Sequence, residues 1–221
     1  MEKSFLSQAE IDGLPGTSNG RVNLSEQERD ILGEIGNINA SSSSTALSEI
    51  LKQRVLLDAP AISFTNLNEL HQRFETPYIL IEIEYTSGIP GKNLFILKSE
   101  DAVVISDIMM GGNGQDVTCK IDELTLSAVS EAMNQMIGTS ATSMSEIFDK
   151  TISISPPRVR LINVKEEAAQ IEPDKKEVVV ISFKLKIGEL MENQTMLVMN
   201  LDAAKEYVRY LVGGTADGLA G

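Results

Sequence analysis

The chain has 221 residues, 42% of them hydrophobic and 23% charged, enough for one sizeable domain or two small ones with a substantial core. Its formal net charge of -13 repels phosphate backbones and anionic lipid, which argues against nucleic acid and against a membrane surface as partners. A single cysteine, Cys119, excludes an internal disulfide, and one histidine, His71, beside it excludes a His/Cys zinc site within one chain; no metal ligand set is expected. The start "MEKSFLSQAE" lacks a signal-peptide apolar core and no run approaches a membrane span, so the protein reads as soluble and cytoplasmic, without membrane insertion.

In chain order, "FLSQAEIDGLPG" carries a small capping box, Ser7 to Glu10, with Phe5, Leu6, Ile11 and Leu14 as apolar anchors. Residues 17–22 then read as a flexible linker. A short amphipathic segment on a tether fits a partner-docking peptide or a disordered terminus, and composition barely separates the two. "SEQE", Ser25 to Glu28, opens a long helix. Short strands are expected on both sides of Pro60. "YILIEIEY" follows, with Ile79, Ile81, Ile83 and Tyr85 on one face and Leu80, Glu82 and Glu84 on the other, the period of a half-buried antiparallel strand. A shorter helix lies near 100–110, and "MMGGNGQD" reads as its C-cap and turn.

The same order then recurs. A long helix starts near "IDEL", short strands flank Pro157, and "VKEEAAQIEPDKKE", residues 164–177, reads as a longer loop. "VVISFKLKI" places Val179, Ile181, Phe183, Leu185 and Ile187 opposite Ser182, Lys184 and Lys186. A helix over 202–212 closes the unit, and residues 215–221 read as the start of another linker. "DILGEIGN", Asp30 to Asn37, matches "SAVSEAMN", Ser127 to Asn134, at an offset of 97 residues, which also pairs Pro60 with Pro157 and Ser48 with Ser145. "NLFILKSEDA" at 93–102 matches "TMLVMNLDAA" at 195–204 at an offset of 102. Glu, Asn and Pro all agree by chance in about one register in ten thousand at ordinary residue usage.

The expected architecture is α+β: an α-β-β-β-α unit duplicated about a pseudo-two-fold, with repeats over about 23–112 and 120–214 and long helices on one face of an antiparallel sheet. Glu82 and Glu84 fall at the repeat positions of Lys184 and Lys186, so these two strands are expected side by side across the pseudo-two-fold, Glu facing Lys.

On a helix, Asp30, Glu34 and Asn37 form one polar stripe, away from an apolar side of Leu24, Ile31, Ile35 and Ile38. Ser127, Glu131 and Asn134 repeat the stripe, with Ile121, Leu124, Ala128 and Ala132 on the apolar side. One such stripe alone is an ordinary solvated face; two at matching positions point to use. An Asn and a Glu lack a nucleophile–base couple. A carboxamide can, however, orient water for in-line attack on a phosphoryl group that a partner supplies together with Mg²⁺. The run Ser41–Ser44 is read as small-residue packing, since no base accompanies it.

The pattern Asp/Ser-x3-Glu-x2-Asn-x22-Pro, present twice, resembles the signature of the CheC/CheX/FliY phosphatases, which act on phosphorylated CheY, the response regulator of bacterial chemotaxis. The resemblance covers about residues 23–214. It implies that Asn37 and Asn134 orient the attacking water and that Glu34 and Glu131 engage the partner's active-site Lys. Asp30 and Ser127 would support each motif, and Pro60 and Pro157 would shape the turn beneath each active helix. Mg²⁺ would belong to CheY, with no cofactor in this chain. "LSQAEIDGL" is similar to the peptide at the start of FliM that binds phosphorylated CheY, which implies that role for Phe5, Leu6, Ser7, Gln8, Glu10, Ile11 and Leu14. It also implies the switch proteins FliM, FliG and a FliN-like protein as partners, the cytoplasmic face of the flagellar motor as location, and a FliN-like domain beyond residue 221. The rival reading is a non-catalytic switch adaptor that captures phosphorylated CheY through the same peptide.

Overall fold

The computed structural model describes residues 24–58, 60–66, 69–70, 77–88, 92–115, 121–162 and 177–212. The N-terminal peptide and linker, His71, Cys119, nearly all of the polar segment 164–177 and residues 215–221 lie outside the described residues.

The first copy runs α1 (Glu26–Leu51), β1 (Val55–Leu57), β2 (Ala61–Asn66), β3 (Tyr78–Ser87), β4 (Lys92–Lys98) and α2 (Ser99–Met109). The second runs α3 (Glu123–Phe148), β5 (Ser153–Ile154), β6 (Arg158–Ile162), β7 (Glu177–Ile187), β8 (Met191–Asn200) and α4 (Leu201–Val212). Among the described residues each copy thus shows four strands rather than the three expected. Pro60 and Pro157 fall in the gaps between the short strands, where a residue without an N–H interrupts a ladder.

Both long helices start on a side-chain cap. Ser25 and Glu28 form the expected reciprocal box, and the side chain of Asp122 accepts from the Thr125 N–H. Both end on a residue in the left-handed region, Lys52 and Asp149, again 97 positions apart. The turn after α2 is as read: Gly111 has φ +90°, and the Gly112 N–H donates to the Asp107 carbonyl at 2.8 Å.

The eight strands form one antiparallel sheet in the order β1-β7-β8-β4-β3-β5, with β2 also on β7 and β6 also on β3. At its centre β4 pairs with β8 through Phe95 and Leu197, which are each other's repeat equivalents, so the pseudo-two-fold passes through this pair. The short strands are exchanged: β1 and β2 of the first copy lie on β7 of the second, and β5 and β6 lie on β3 of the first. The expectation that β3 and β7 are neighbours is therefore wrong; β4 and β8 separate them. Their charges are satisfied elsewhere. Glu82 pairs with Arg160 at 2.8 Å and Glu84 with Lys92 at 3.9 Å, while Lys184 and Lys186 both reach Glu192.

The helices cover one face. Ile79, Ile81 and Ile83 of β3 and Val179, Ile181 and Phe183 of β7 pack there against Leu32, Ile35, Val129 and Met133. Each fully buried side chain of this size contributes roughly 2 kcal/mol. The opposite face carries a second apolar cluster, with Tyr78, Leu80, Val178, Val180, Met196 and Val198 beneath Leu70. The inner halves of β3 and β7 are thus buried on both sides, and the period-2 reading holds only toward their outer ends. Among residues assigned to the apolar side of the helices, Leu124 is instead 61% exposed in the first turn of α3, and Leu32, not assigned there, is fully buried.

Serines fasten β1 to α1. Val55 N–H donates to Ser48 Oγ at 2.9 Å and Leu57 N–H to Ser44 Oγ at 2.8 Å. These N–H groups point away from β7, so the hydroxyls close the free edge of an edge strand. Ser145 Oγ accepts from the Ile152 N–H at 3.1 Å in the second copy. Ser48→Ala leaves the Val55 N–H without its partner and should cost about 1 kcal/mol, lowering Tm by about 2–4 °C in a thermal melt.

A buried polar group joins α2 to β8. Asp101 is 1% exposed; its Oδ1 accepts from Asn193 Nδ2 at 2.6 Å, and Asn193 Oδ1 accepts from Lys98 Nζ at 3.0 Å. Burial pushes the Asp101 carboxyl up to about 7, against the Asn193 bond and the Lys98 charge, which both lower it. The folded chain therefore holds this proton where the unfolded chain, at 3.8, has released it. The stability linked to it is fully present below pH 3.8 and is lost as pH rises through about 7. Asp101→Asn should raise Tm at pH 8 by about 5 °C, with the gain shrinking toward pH 4 in melts across that range.

Candidate functional site

α1 and α3 carry the two polar stripes on the outside of the helical layer. Asp30, Glu34 and Asn37 are all exposed; Ser127 and Glu131 are exposed and Asn134 is half-buried. Among the described residues the side chains of Glu34, Asn37 and Asn134 have no hydrogen-bond partner. Glu131 Oε1 accepts from Gln135 Nε2 at 2.5 Å, one turn further along α3. Ser127 Oγ donates back to the Glu123 carbonyl at 2.7 Å, so this hydroxyl serves its own helix. The structure thus brings each Glu–Asn pair to the surface as a unit, with the carboxamide free to bind.

Three contacts hold the stripes in place. The first is a close approach at Gly36, the residue before Asn37: a Cβ there would lie 2.8 Å from Pro60 Cγ and 3.1 Å from Pro60 Cβ. The proline ring therefore rests directly on the backbone of α1 beneath the amide. The second is the helix crossing. Ser140 Oγ donates to Asn39 Oδ1 at 2.7 Å and Ser42 Oγ to Ser140 Oγ at 3.3 Å, with Ser43 and Ser140 buried where α1 meets α3. The third is Arg29, whose guanidinium lies 4.4 Å from the centre of the Phe64 ring on β2. The run Ser41–Ser44 is thus a set of distinct uses. Ser42 and Ser43 serve the crossing, Ser44 binds β1, and Ser41 stays exposed.

Sequence reasoning missed Gly36, Ser44 and Ser48 as positioning residues. Ser48 and Ser145 were visible as a repeat match, but the acceptor role of their hydroxyls depends on where the edge strand lies. Gly36 has Met133 as its counterpart, so the repeat concealed it. Pro157 is buried, and the peptide residues Phe5 to Leu14 lie outside the described residues.

Chemically, the stripes offer two carboxamides, each with a carboxylate one turn earlier. Among the described residues no group of three His, Cys, Asp or Glu side chains is placed to hold a metal ion. No helix of the described residues is long and apolar enough to cross a membrane.

Gly36→Ala should lower Tm even though Ala gains about 1 kcal/mol over Gly in a helix interior, because the methyl group meets Pro60. Adding Pro60→Ala should recover part of the loss, a coupling that melts of the four chains would measure.

Comparison with known proteins agrees with the duplication. The model of the CheC-like family matches twice, over residues 28–63 and 124–160, each match spanning a stripe and its proline. The chain is 43% identical over 96% of its length to the flagellar motor switch phosphatase FliY of Bacillus subtilis, and spans 59% of that relative's length. The crystal structure of FliY from Thermotoga maritima superposes with a TM-score of 0.79 at 37% identity, covering 86% of this chain and 98% of that one. The FliM middle domain of H. pylori shares the fold, with a TM-score of 0.65 at 13% identity over 85% of this chain and 99% of that one. Two family matches placed on the two copies, with a like structure along nearly all of the described chain, make this protein a member of the CheC-like family.

Proposed function

We propose that this chain hydrolyses the aspartyl-phosphate of the chemotaxis regulator CheY at the flagellar motor switch. The observation that carries the reading is the pair of Glu–Asn units at the surface, Asn37 exposed and Asn134 half-buried, at equivalent places on two clamped helices in a chain of the CheC-like family. Relatives named as phosphatases of phosphorylated CheY, among them CheC of Bacillus subtilis at 25% identity, support the substrate.

In this reading Asn37 and Asn134 each enter the partner's phosphorylation site and hold water in line with the phosphorus. Glu34 and Glu131 set the docking register against a partner lysine. Mg²⁺ comes with CheY and neutralises the phosphoryl oxygens there. The aspartyl-phosphate is already labile, so roughly 100-fold acceleration, about 2.7 kcal/mol, is sufficient, and orienting one water can supply it. Residues 1–16 act as a tether for phosphorylated CheY and raise its local concentration. FliM, FliG and a FliN-like domain or protein are the expected neighbours on the cytoplasmic side of the motor.

The test is the lifetime of phosphorylated CheY, with Mg²⁺, in the presence of this chain, Asn37→Ala, Asn134→Ala and the double variant. The chain should shorten the lifetime, each single variant should retain part of the effect, and the double variant should lose it. An unchanged lifetime with the unaltered chain, alongside binding of phosphorylated CheY, would identify an adaptor instead.

A further inference from the structure

The two long helices carry three glycines, and the fold explains one of them. Gly36 stands where a side chain would strike Pro60. Gly33 and Gly138 have no such neighbour: among the described residues, apart from the adjoining turns of their own helix, no heavy atom lies within 4 Å of where their Cβ would be. Neither has a positive φ, so the backbone does not call for glycine either. The helix at Gly138 matches that at its repeat counterpart Ser41: the Thr142 hydroxyl donates to the Gly138 carbonyl at 3.0 Å, and the Thr45 hydroxyl to the Ser41 carbonyl at 3.1 Å. Inside a helix only proline is less favourable than glycine. Both positions are thus less stable than alanine would make them, with no contact inside the described chain in return.

Both glycines lie one turn from an amide. Gly33 precedes Asn37 by four residues and Gly138 follows Asn134 by four. That spacing puts each on the helix face that bears the amide, about 6 Å along the axis. The repeat fills the remaining flanks with serine: Ser41 follows Asn37 and Ser130 precedes Asn134, again by four. Glycine or serine therefore stands one turn before and one turn after both amides. An asparagine carboxamide reaches only one bond beyond a serine hydroxyl. A longer side chain at these places would stand as high as the amide and hold the helix off whatever the amide touches.

We propose that these four small residues let the backbone of each long helix seat directly against the partner's phosphorylated domain, with Gly33 and Gly138 as the points of closest approach. The occupant is the folded domain that bears the aspartyl-phosphate, because the small flanks are continuous with the Glu–Asn unit and one surface must cover both. Water held by so short a side chain lies in line with the phosphorus only when the helix itself touches that surface. The inference rests on the phosphatase reading and extends it from the reacting amide to the helix that carries it.

The test compares single-site chains: Asn134→Ala, in which the first site remains, and Asn37→Ala, in which the second remains. Gly138→Ala and Gly138→Leu are added to each. Both should raise Tm by about 2–4 °C, since alanine and leucine are strong helix formers placed in open space. In the Asn37→Ala chain kcat/KM for phosphorylated CheY should fall stepwise, about tenfold with alanine and about 100-fold with leucine. Part of the loss should lie in kcat, because a lifted helix misplaces the amide. In the Asn134→Ala chain the same changes should leave the kinetics within about twofold. Gly33→Ala and Gly33→Leu should give the converse pattern. Glu146→Leu, at an exposed position further along α3, should leave turnover unchanged. Unchanged kcat/KM for Gly138→Leu in the Asn37→Ala chain overturns the proposal, as does an equal loss in both chains or with Glu146→Leu. A fall in Tm with either alanine variant also overturns it, since the fold would then need the glycine. Should no chain shorten the phosphate lifetime, the phosphatase reading itself has failed. Seating is then read from the protection that CheY activated with beryllium fluoride gives residues 33–41 and 130–138 against hydrogen exchange. Protection lost in Gly33→Leu/Gly138→Leu upholds the proposal, and equal protection overturns it.

Discussion

The antiparallel pairing of β4 with β8 is the contact on which the remaining architecture depends. Because Phe95 faces Leu197 and the two are repeat equivalents, this ladder relates the copies by a two-fold rotation rather than by translation. Each copy then presents its third strand outward, and the edge of that strand is open to the short strands of the other copy. The exchange of β1 and β2 for β5 and β6 makes each copy incomplete without its partner. Neither hairpin has covered edges until the other arrives, so the fold is one cooperative unit despite its duplicated chain.

The exchange also places the sites. α1 is bound to β1 by Ser44 and Ser48 and lies over β7 through Gly36, Pro60 and Ile181. The first copy's long helix therefore rests on the second copy's sheet. The helix under Asn37 is fixed by the Gly36–Pro60 contact and by serine hydrogen bonds, none of which engages the Asn37 carboxamide. Among the described residues this leaves the carboxamide without a hydrogen-bond partner, on a stiff support.

Duplication has relaxed some requirements and kept others. The Glu–Asn spacing, the serine that receives the strand N–H and the left-handed residue at the helix end occur in both copies. The edge strands differ in register as well as in residues: relative to the repeat alignment, β6 sits two positions along β3 from where β2 sits on β7. A slip of two preserves the face of every side chain, which is why the core tolerates it. A partner touching the edge of the sheet meets two different surfaces beneath the same helix motif.

The sequence by itself determined the local and periodic features. It showed the repeat, the capping box at Ser25, the two stripes, the outward placing of Glu34, Asn37 and Glu131, and the class of fold, because each depends on residues within a few turns or on a comparison between two segments. It misjudged the strands, since period 2 reports one buried face and β3 and β7 bury both along their inner halves. It also paired Glu82 with Lys184, when each found an opposite charge on its own neighbour strand. Only the tertiary structure decided which copy each short strand joins, why Gly36 stands before Asn37, and what Ser44 and Ser48 do. Strand exchange costs the local sequence nothing, and a glycine's role is set by an atom that arrives from elsewhere in the chain, here a proline 24 residues later.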